Sequence, residues 1–449
     1  MSRLFGTDGV RGIANTELTP EDTFLLGRAA AVVLAAEADQ HRPIIVGRDT
    51  RCSGTMLEAA LTAGITSAGR DVVSVGILPT PGVALVAVRE GAAAAVMISA
   101  SHNPVADNGI KFFGADGFKL TDATEDAIES LMHQKDLPRP IGAFVGRARI
   151  AQNLGRHYYQ ALHHAGTDLR GIEVVVDAAF GAAYAVAPYV LRKLGASVHE
   201  LHCKDDGTRI NVDSGATHLG PLQSMVRELR AHGHERVIGV GFDGDADRAL
   251  FVDETGAIIT GDHVLLILAL AMEQRGKLTH RTVAGTVMAN VGLERALSAH
   301  GITLERTAVG DRYVLERMRE RGYTLGGEQS GHVIDLARNT TGDGPMSAVV
   351  LFSVLAEAGV RLHDAASELI VAPQVLVNVR VAHKNALEIP AVQHAIAATN
   401  DRIGTAGRLL VRASGTEPLI RVMIEGDDAP MIHTMANNLA TQIAELAGN

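Results

Sequence analysis

The sequence predicts an α/β protein that ends in a smaller α+β domain. Three observations lead there: a strand–loop–helix–glycine–strand unit that can be read three times, a core vocabulary of Ala, Val, Leu and Ile, and a C-terminal stretch in which strands come first and a helix last. The 449 residues include 47 Gly, ten Phe, six Tyr and no Trp, so tight turns are many and aliphatic side chains fill the interior. At roughly 150 residues per domain the length suits about three domains, with two or four equally compatible.

In the first unit, 43–47 reads as a strand that leads through Arg48-Asp49-Thr50-Arg51 into a helix over 53–68. Gly69 stops that helix before a strand over 71–77. In the second, a strand over 173–177 leads through Gly181 into a helix over 183–194, and Gly195 precedes a strand over 197–201. In the third, 281–287 leads through Asn290 and Gly292 into a helix over 293–300, and Gly301 precedes a strand over 302–307. Repetition of this kind fits three related domains, and it equally fits a fold that simply reuses the βαβ unit. Beyond it, 375–381, 408–412 and 419–425 read as strands and 430–446 as a closing helix. The breaks fall near 150, 250 and 365.

Composition excludes several classes. Lys and Arg number 41 against 51 Asp and Glu, a formal charge of −10, which speaks against a nucleic-acid coat but leaves room for a local basic cleft. Apolar residues make up 47% and charged residues 20%, an ordinary globular balance. The cleanest apolar run, 264–272, is about half of a membrane crossing. The N-terminus turns polar and glycine-rich too early for a signal peptide, so a cytoplasmic protein is expected. Cys52 and Cys203 form no paired motif and read as small buried hydrophobes.

Five motifs carry chemistry. Phe242-Asp243-Gly244-Asp245-Ala246-Asp247-Arg248 lies between two apolar strand-like stretches. Three carboxylates at alternate positions repel one another unless a hard cation sits among them, and such oxygen ligands suit Mg²⁺. Gly239, Gly241 and Gly244 imitate a dinucleotide fingerprint, but no helix opens after them. An EF-hand reading fails because Arg248 stands where the loop needs Gly. A solvated acidic turn is the plain alternative.

Ile98-Ser99-Ala100-Ser101-His102-Asn103-Pro104 follows a buried strand over 92–98 that delivers Ser101 to a loop, with Lys111 shortly after. His102 and Lys111 are candidate proton carriers for that hydroxyl, although adjacent Ser and His are common by chance. Arg412-Ala413-Ser414-Gly415-Thr416-Glu417-Pro418, followed by Arg421, combines hydroxyls, backbone N–H groups and guanidinium in an anion nest, or else forms an ordinary hairpin turn. Gly326-Gly327-Glu328-Gln329-Ser330-Gly331-His332 suits sugar hydroxyls, or is a flexible turn. Gly6-Thr7-Asp8-Gly9-Val10-Arg11-Gly12 sets Arg11 beside an anion, or on the surface.

With these five motifs in this order, the chain resembles the α-D-phosphohexomutases over essentially its whole length. The resemblance implies an α/β fold of four domains around a central cleft, three with related mixed α/β topology and a C-terminal α+β domain. It assigns the catalytic serine to 1–150, the metal loop to 151–250, the sugar loop to 251–365 and phosphate binding to 366–449. It implies that Ser101 carries the phosphoryl group, and that Asp243, Asp245 and Asp247 hold Mg²⁺ with an oxygen on Ser101 as a further ligand. Arg11 and Arg248 would neutralise the group in flight, with His102 and Lys111 moving protons. Glu328 and Ser330 would grip sugar hydroxyls near His332. Arg412, Ser414, Gly415, Thr416 and Arg421 would clamp the unreacting phosphate.

The activity implied is interconversion of glucosamine 6-phosphate and glucosamine 1-phosphate through a phosphoserine and a 1,6-bisphosphate intermediate that also serves as activator. Such an activity feeds UDP-N-acetylglucosamine and cell-wall synthesis. The opening motif and 327–332 tip the hexose from glucose or mannose toward glucosamine. A non-catalytic, metal-dependent sugar-phosphate sensor is the competing reading from another class. The resemblance also suggests a homodimer whose partner molecule is a hexosamine phosphate, with no nucleic acid and no membrane.

Overall fold

The computed structural model describes residues 3–6, 8–35, 42–134, 136–381, 384–413 and 419–447. The chain forms two compact units, Met1–Thr286 with Thr307–Ser367, and Val287–Arg306 with Glu368–Asn449.

In the first unit one plan recurs. The strand Ile44–Arg48 pairs in parallel with Val72–Ile77 on one side and Ala94–Ile98 on the other, and Asp107–Gly114 returns antiparallel beside Ala94–Ile98. The strand Glu173–Asp177 does the same with Ser197–Leu201, Val237–Phe242 and the antiparallel Ala249–Val252. Thr282–Thr286 again runs parallel to Leu325–Gly327, which pairs antiparallel with Val333–Asp335. Repetition in the sequence therefore reflects a repeated topology rather than mere reuse of βαβ.

The consequence for chemistry is direct. In each sheet the chain reverses before the antiparallel strand just named, and that reversal is one of the motifs: 99–106, 243–248 and 328–332. Turn residues there are released from the ladder at the carboxyl ends of parallel strands, where α/β sheets place their ligands. In the first sheet Val10–Ile13 adds antiparallel to Asp107–Gly114 and sets Arg11 opposite Gly109, which brings the N-terminal motif to the serine-bearing hairpin.

The central strands form where the pattern puts them because their burial is nearly complete. All five residues of Ala94–Ile98 are buried, as expected of a strand covered on both faces. The helix Gly54–Ser67 turns Leu57, Leu61 and Ile65 into the core, each burial contributing about 1.5–3 kcal/mol. The apolar run over 264–272 lies within the buried helix Gly261–Gln274, and no helix among the described residues is long and apolar enough to cross a membrane.

Two expectations need correction. The second helix is Val186–Lys193, three residues shorter at its start than the pattern suggests. Residues before it are held in turns, with Gly181 N–H donating to Ala178 O at 2.7 Å and Ala182 N–H to Gly244 O at 2.8 Å. Cys52 is exposed and Cys203 half-buried, so neither is a core hydrophobe. Cys52 falls in the turn that must leave the sheet before the helix Gly54–Ser67, whereas Cys203 rests its Sγ on Val176 O and Leu201 O, and burial pushes its thiol up to about 12.

The second unit is an antiparallel sheet of Gln374–Arg380, Leu419–Gly426 and Gly407–Ala413, covered by the helices Pro390–Ile403 and Ala429–Leu446. Val287–Arg306 belongs with it rather than with the strands that precede it. Asn290 explains this: its Nδ2 donates to Ala372 O at 3.0 Å while its Oδ1 accepts from Ala372 N–H at 3.0 Å.

Candidate active site

Ser101 sits at the start of its reversal with φ of 51°, a left-handed conformation that an L-residue holds only when its surroundings enforce it. Enforcement is visible on both sides of the peptide. Its N–H donates to Ser99 Oγ at 2.9 Å, and Ser99 Oγ in turn donates to Asp49 Oδ2 at 2.6 Å. Its carbonyl accepts from Arg51 Nη2 at 3.0 Å and from Asn211 Nδ2 at 2.8 Å. Fully buried Arg51 also donates to the carbonyls of Asn103, Pro104 and Asp107, so one guanidinium fastens the whole turn.

Held this way, Ser101 Oγ donates to Asp243 Oδ2 at 2.6 Å and stands 3.4 Å from His102 Nδ1. The serine turn and the acidic turn touch backbone to backbone. A Cβ at position 244 would come within 2.5 Å of Ser101 O, so the contact requires Gly244.

Asp243, Asp245 and Asp247 are all buried and each turns a carboxylate oxygen to within 4.8 Å of the others. Neighbours fix the loop by its carbonyls: Thr80 N–H donates to Asp245 O at 3.0 Å and Gly344 N–H to Ala246 O at 3.1 Å. Thr80 and Gly344 open the helices Thr80–Arg89 and Gly344–Ala358, whose positive N-terminal ends favour negative charge there. Among the described residues, Asp245 Oδ1 and Asp247 Oδ1 are buried without a hydrogen-bond partner. Burial, then Asp247 and Asp245, hold the Asp243 carboxyl well above the usual range. Crowded carboxylates whose buried oxygens lack hydrogen bonds fit a hard divalent cation, and the residues pass that test.

Cations surround the triplet. Lys111 Nζ lies 2.9 Å from Asp245 Oδ2, 2.8 Å from Asp8 Oδ2 and 3.5 Å from Asp247 Oδ2. Burial would lower its pKa, but these three carboxylates hold it well above the ordinary value. Asp245, which burial would raise, is pulled below its usual value by Lys111 and by Thr80 Oγ1 at 2.6 Å. Arg248 is likewise raised against its burial by Asp247 and Asp243. Arg11 pairs with Asp8 and donates from Nη1 to Asn103 Oδ1 at 3.3 Å, which sets it at the serine turn. His102 goes the other way: burial, then Arg248 and Arg11, push its pKa down.

The third reversal completes the cluster. Glu328 Oε1 accepts from Gly310 N–H at 3.2 Å and Ser330 Oγ reaches Glu328 Oε2 at 3.4 Å. Buried His332 accepts at Nε2 from Gly342 N–H at 3.1 Å and turns Nδ1 toward Asp247 Oδ2 at 3.8 Å. In the second unit, Arg412 and Arg421 face each other across paired strands. Burial and then Arg421 lower the pKa of Arg412, and Arg421 Nε is buried without a hydrogen-bond partner among the described residues. Ser414, Gly415 and Thr416 lie outside the described residues.

Sequence reasoning missed the parts played by Thr80, Ser99 and Asn211, and passed Asp49 and Arg51 as mere loop residues. Only Ser99, inside the serine motif, carried a local signal. The others reach the site from 50 to 165 positions away.

Three copies of one α/β plan, whose strand-end reversals bring a serine hydroxyl, three carboxylates and a histidine into one cluster, are the build of the phosphohexomutases. Models of the phosphoglucomutase/phosphomannomutase family match the chain throughout: α/β/α domain I over residues 2–139, domain II over 156–256, domain III over 260–372 and the C-terminal domain over 376–442. The chain belongs to this family. It is 49% identical over 449 residues to the phosphoglucosamine mutase of Caldanaerobacter subterraneus subsp. tengcongensis, covering 99% of each chain. It is 50% identical over 449 residues to that of Saccharopolyspora erythraea, covering 99% of this chain and 100% of the relative. A phosphoglucomutase/phosphomannomutase family protein from Burkholderia thailandensis shares the fold with a TM-score of 0.85 at 24% identity, covering 100% of this chain and 99% of the other. The N-acetylphosphoglucosamine mutase of Aspergillus fumigatus, solved with GlcNAc-6P and magnesium, aligns with a TM-score of 0.67 at 17% identity, covering 99% and 96%.

Proposed function

We propose that this chain is a phosphoglucosamine mutase: phosphorylated Ser101 exchanges its phosphoryl group with glucosamine 6-phosphate and glucosamine 1-phosphate by way of the 1,6-bisphosphate. The observation that carries this reading is the 2.6 Å contact between Ser101 Oγ and Asp243 Oδ2 inside a buried triplet of carboxylates. No hinge is needed to bring the two together.

Asp243, Asp245 and Asp247 would hold Mg²⁺, with an oxygen on Ser101 as a further ligand; bound there, the ion offsets charge on the transferring group. Everything else is the work of side chains. Transfer breaks the P–O bond to Ser101 and forms one to O1 or O6 of the sugar, while the sugar hydroxyl loses a proton and Ser101 Oγ regains one. Arg11 and Arg248 supply fixed positive charge beside Ser101. Lys111, locked as an ammonium among three carboxylates, does the same rather than carrying the proton. His102, neutral at pH 7 and 3.4 Å from Ser101 Oγ, fits that task. Glu328 and Ser330 receive sugar hydroxyls, and Arg412 and Arg421, with 414–416, receive a phosphate of the substrate. Because the sugar must react at both O1 and O6, this clamp has to accept either phosphate after the bisphosphate turns over.

A protonated His102 has no lone pair to accept a proton, so lowering pH through its depressed pKa removes the carrier. The kcat profile is expected to stay flat at neutral pH and to fall only below His's ordinary value of about 6.5. His102→Gln is expected to lower kcat roughly 100-fold and to abolish that acid limb; an unchanged limb in the variant would assign proton transfer elsewhere.

The substrate itself is tested by comparing turnover of glucosamine 1-phosphate, glucose 1-phosphate and mannose 1-phosphate. Glucosamine 1-phosphate is expected to have the highest kcat/KM. A preference of about 100-fold for glucose, equivalent to roughly 2.7 kcal/mol, would overturn the choice of hexose.

A further inference from the structure

Six charged or ionisable side chains close a ring that the catalytic roles above do not explain. Asp8 Oδ2 lies 2.8 Å from Lys111 Nζ, which lies 3.5 Å from Asp247 Oδ2, which lies 3.8 Å from His332 Nδ1. From His332 Nε2 the path continues to Asp311 Oδ2 at 3.6 Å, to Lys119 Nζ at 2.6 Å, and back to Asp8 Oδ1 at 2.6 Å. Acids and bases alternate all the way round. Lys111, Asp247 and His332 belong to the reaction centre, whereas Lys119 and Asp311 touch neither the serine nor the acidic triplet.

Their place in the fold shows what they join. Lys119 bridges back to Phe113 at the end of the strand Asp107–Gly114, so it is mounted on the serine-bearing hairpin. Asp311 opens the helix Asp311–Arg321, and the residue before it, Gly310, is the one whose N–H holds Glu328. Short loop 310–311 thus meets both ends of the sugar loop: the backbone N–H of Gly310 holds Glu328, and the Asp311 carboxylate lies 3.6 Å from His332 Nε2.

We infer that Lys119 and Asp311 are positioning residues, an ionic latch that sets the distance between the sugar loop and Ser101. The inference rests on the mutase reading and adds to it the residues that set the reach of the sugar grip. Asp8 and Asp311 both approach Lys119 Nζ, so without that ammonium two carboxylates face each other at close range and repel. The loop that yields is 310–311, and it carries Glu328 and His332 with it. A displacement of about 1 Å in a sugar-gripping group costs roughly 100-fold in rate. Folding does not depend on the latch alone, because Thr340 Oγ1 also donates to Gly117 O at 2.6 Å and Arg312 Nη1 to Asp122 Oδ1 at 2.6 Å across the same faces.

The test measures kcat and KM of the full chain with glucosamine 1-phosphate, alongside thermal melting. Lys119→Met is expected to lower kcat roughly 100-fold. The double variant Lys119→Met/Asp311→Asn, which removes the surplus negative charge, is expected to recover about tenfold of that loss, a compensation that a purely structural lysine would not show. Lys119→Met retaining a third or more of wild-type kcat, or a double variant no faster than the single one, would overturn the latch. If Lys119→Met does not fold, Asp311→Asn alone decides: about a tenfold fall in kcat with an unchanged melting temperature supports the latch, and unaltered kcat refutes it. Wild-type protein inert toward every hexose phosphate would instead refute the mutase reading.

Discussion

Ser101→Ala is expected to reduce turnover by roughly 10⁴-fold or more while leaving affinity for glucosamine 6-phosphate within a few-fold. Removing Oγ deletes the atom that accepts and returns the phosphoryl group. It leaves in place Glu328, Ser330 and the arginine pair proposed to bind sugar and phosphate. Stability should change little. One hydrogen bond to Asp243 is lost, worth about 1 kcal/mol, whereas the turn keeps the bonds that Arg51, Asn211 and Ser99 make to its backbone. The comparison that matters is steady-state turnover against calorimetric affinity. A sensor that never used the hydroxyl would turn over nothing in the wild type. A mutase using another nucleophile would keep its rate in the variant. Intact-mass measurement before and after phosphatase, absent in the alanine variant, reads the phosphoserine directly.

Asp245→Asn is expected to lower activity roughly 100-fold or more and to raise the Mg²⁺ concentration for half-maximal rate by at least tenfold. Among the described residues its Oδ1 is buried without a hydrogen-bond partner, and its Oδ2 holds Lys111 and Thr80. The amide removes a charge from the proposed metal site and a counter-charge from a buried ammonium at once. Wild-type protein in excess chelator should be inactive and should recover when Mg²⁺ is restored. Full activity in chelator would remove the metal from the scheme altogether.

Most of the motifs were legible because each is a contiguous turn. Asp243, Asp245 and Asp247 come from one reversal of the chain, so their crowding could be read from spacing alone. Ser101 and His102 are adjacent, and Glu328, Ser330 and His332 share five consecutive positions. Strand limits were legible for a similar reason: Glu173–Asp177 and Ser197–Leu201 are short apolar or alternating runs bounded by polar turns or glycine, and the structure forms them as expected. The chemistry of Lys111 was less legible. A lysine near a serine suggests a proton carrier, and only the structure shows the three carboxylates that surround its Nζ.

What the sequence by itself determined was the set of local turns, the repeated α/β plan that presents them and the family they belong to. All of that is written in neighbouring residues and in the period of apolar side chains. Only the tertiary structure decided which distant groups make those turns work. Arg51 reaches the carbonyls of 101, 103, 104 and 107 from the loop after the strand Ile44–Arg48, Asn211 arrives from a turn beyond the strand Ser197–Leu201 and Thr80 from a helix end. Lys119 meets Asp311 across 192 positions. Such contacts leave no periodic trace, because an ion pair or a carbonyl clasp needs only that two side chains meet in space, and folding alone brings them together.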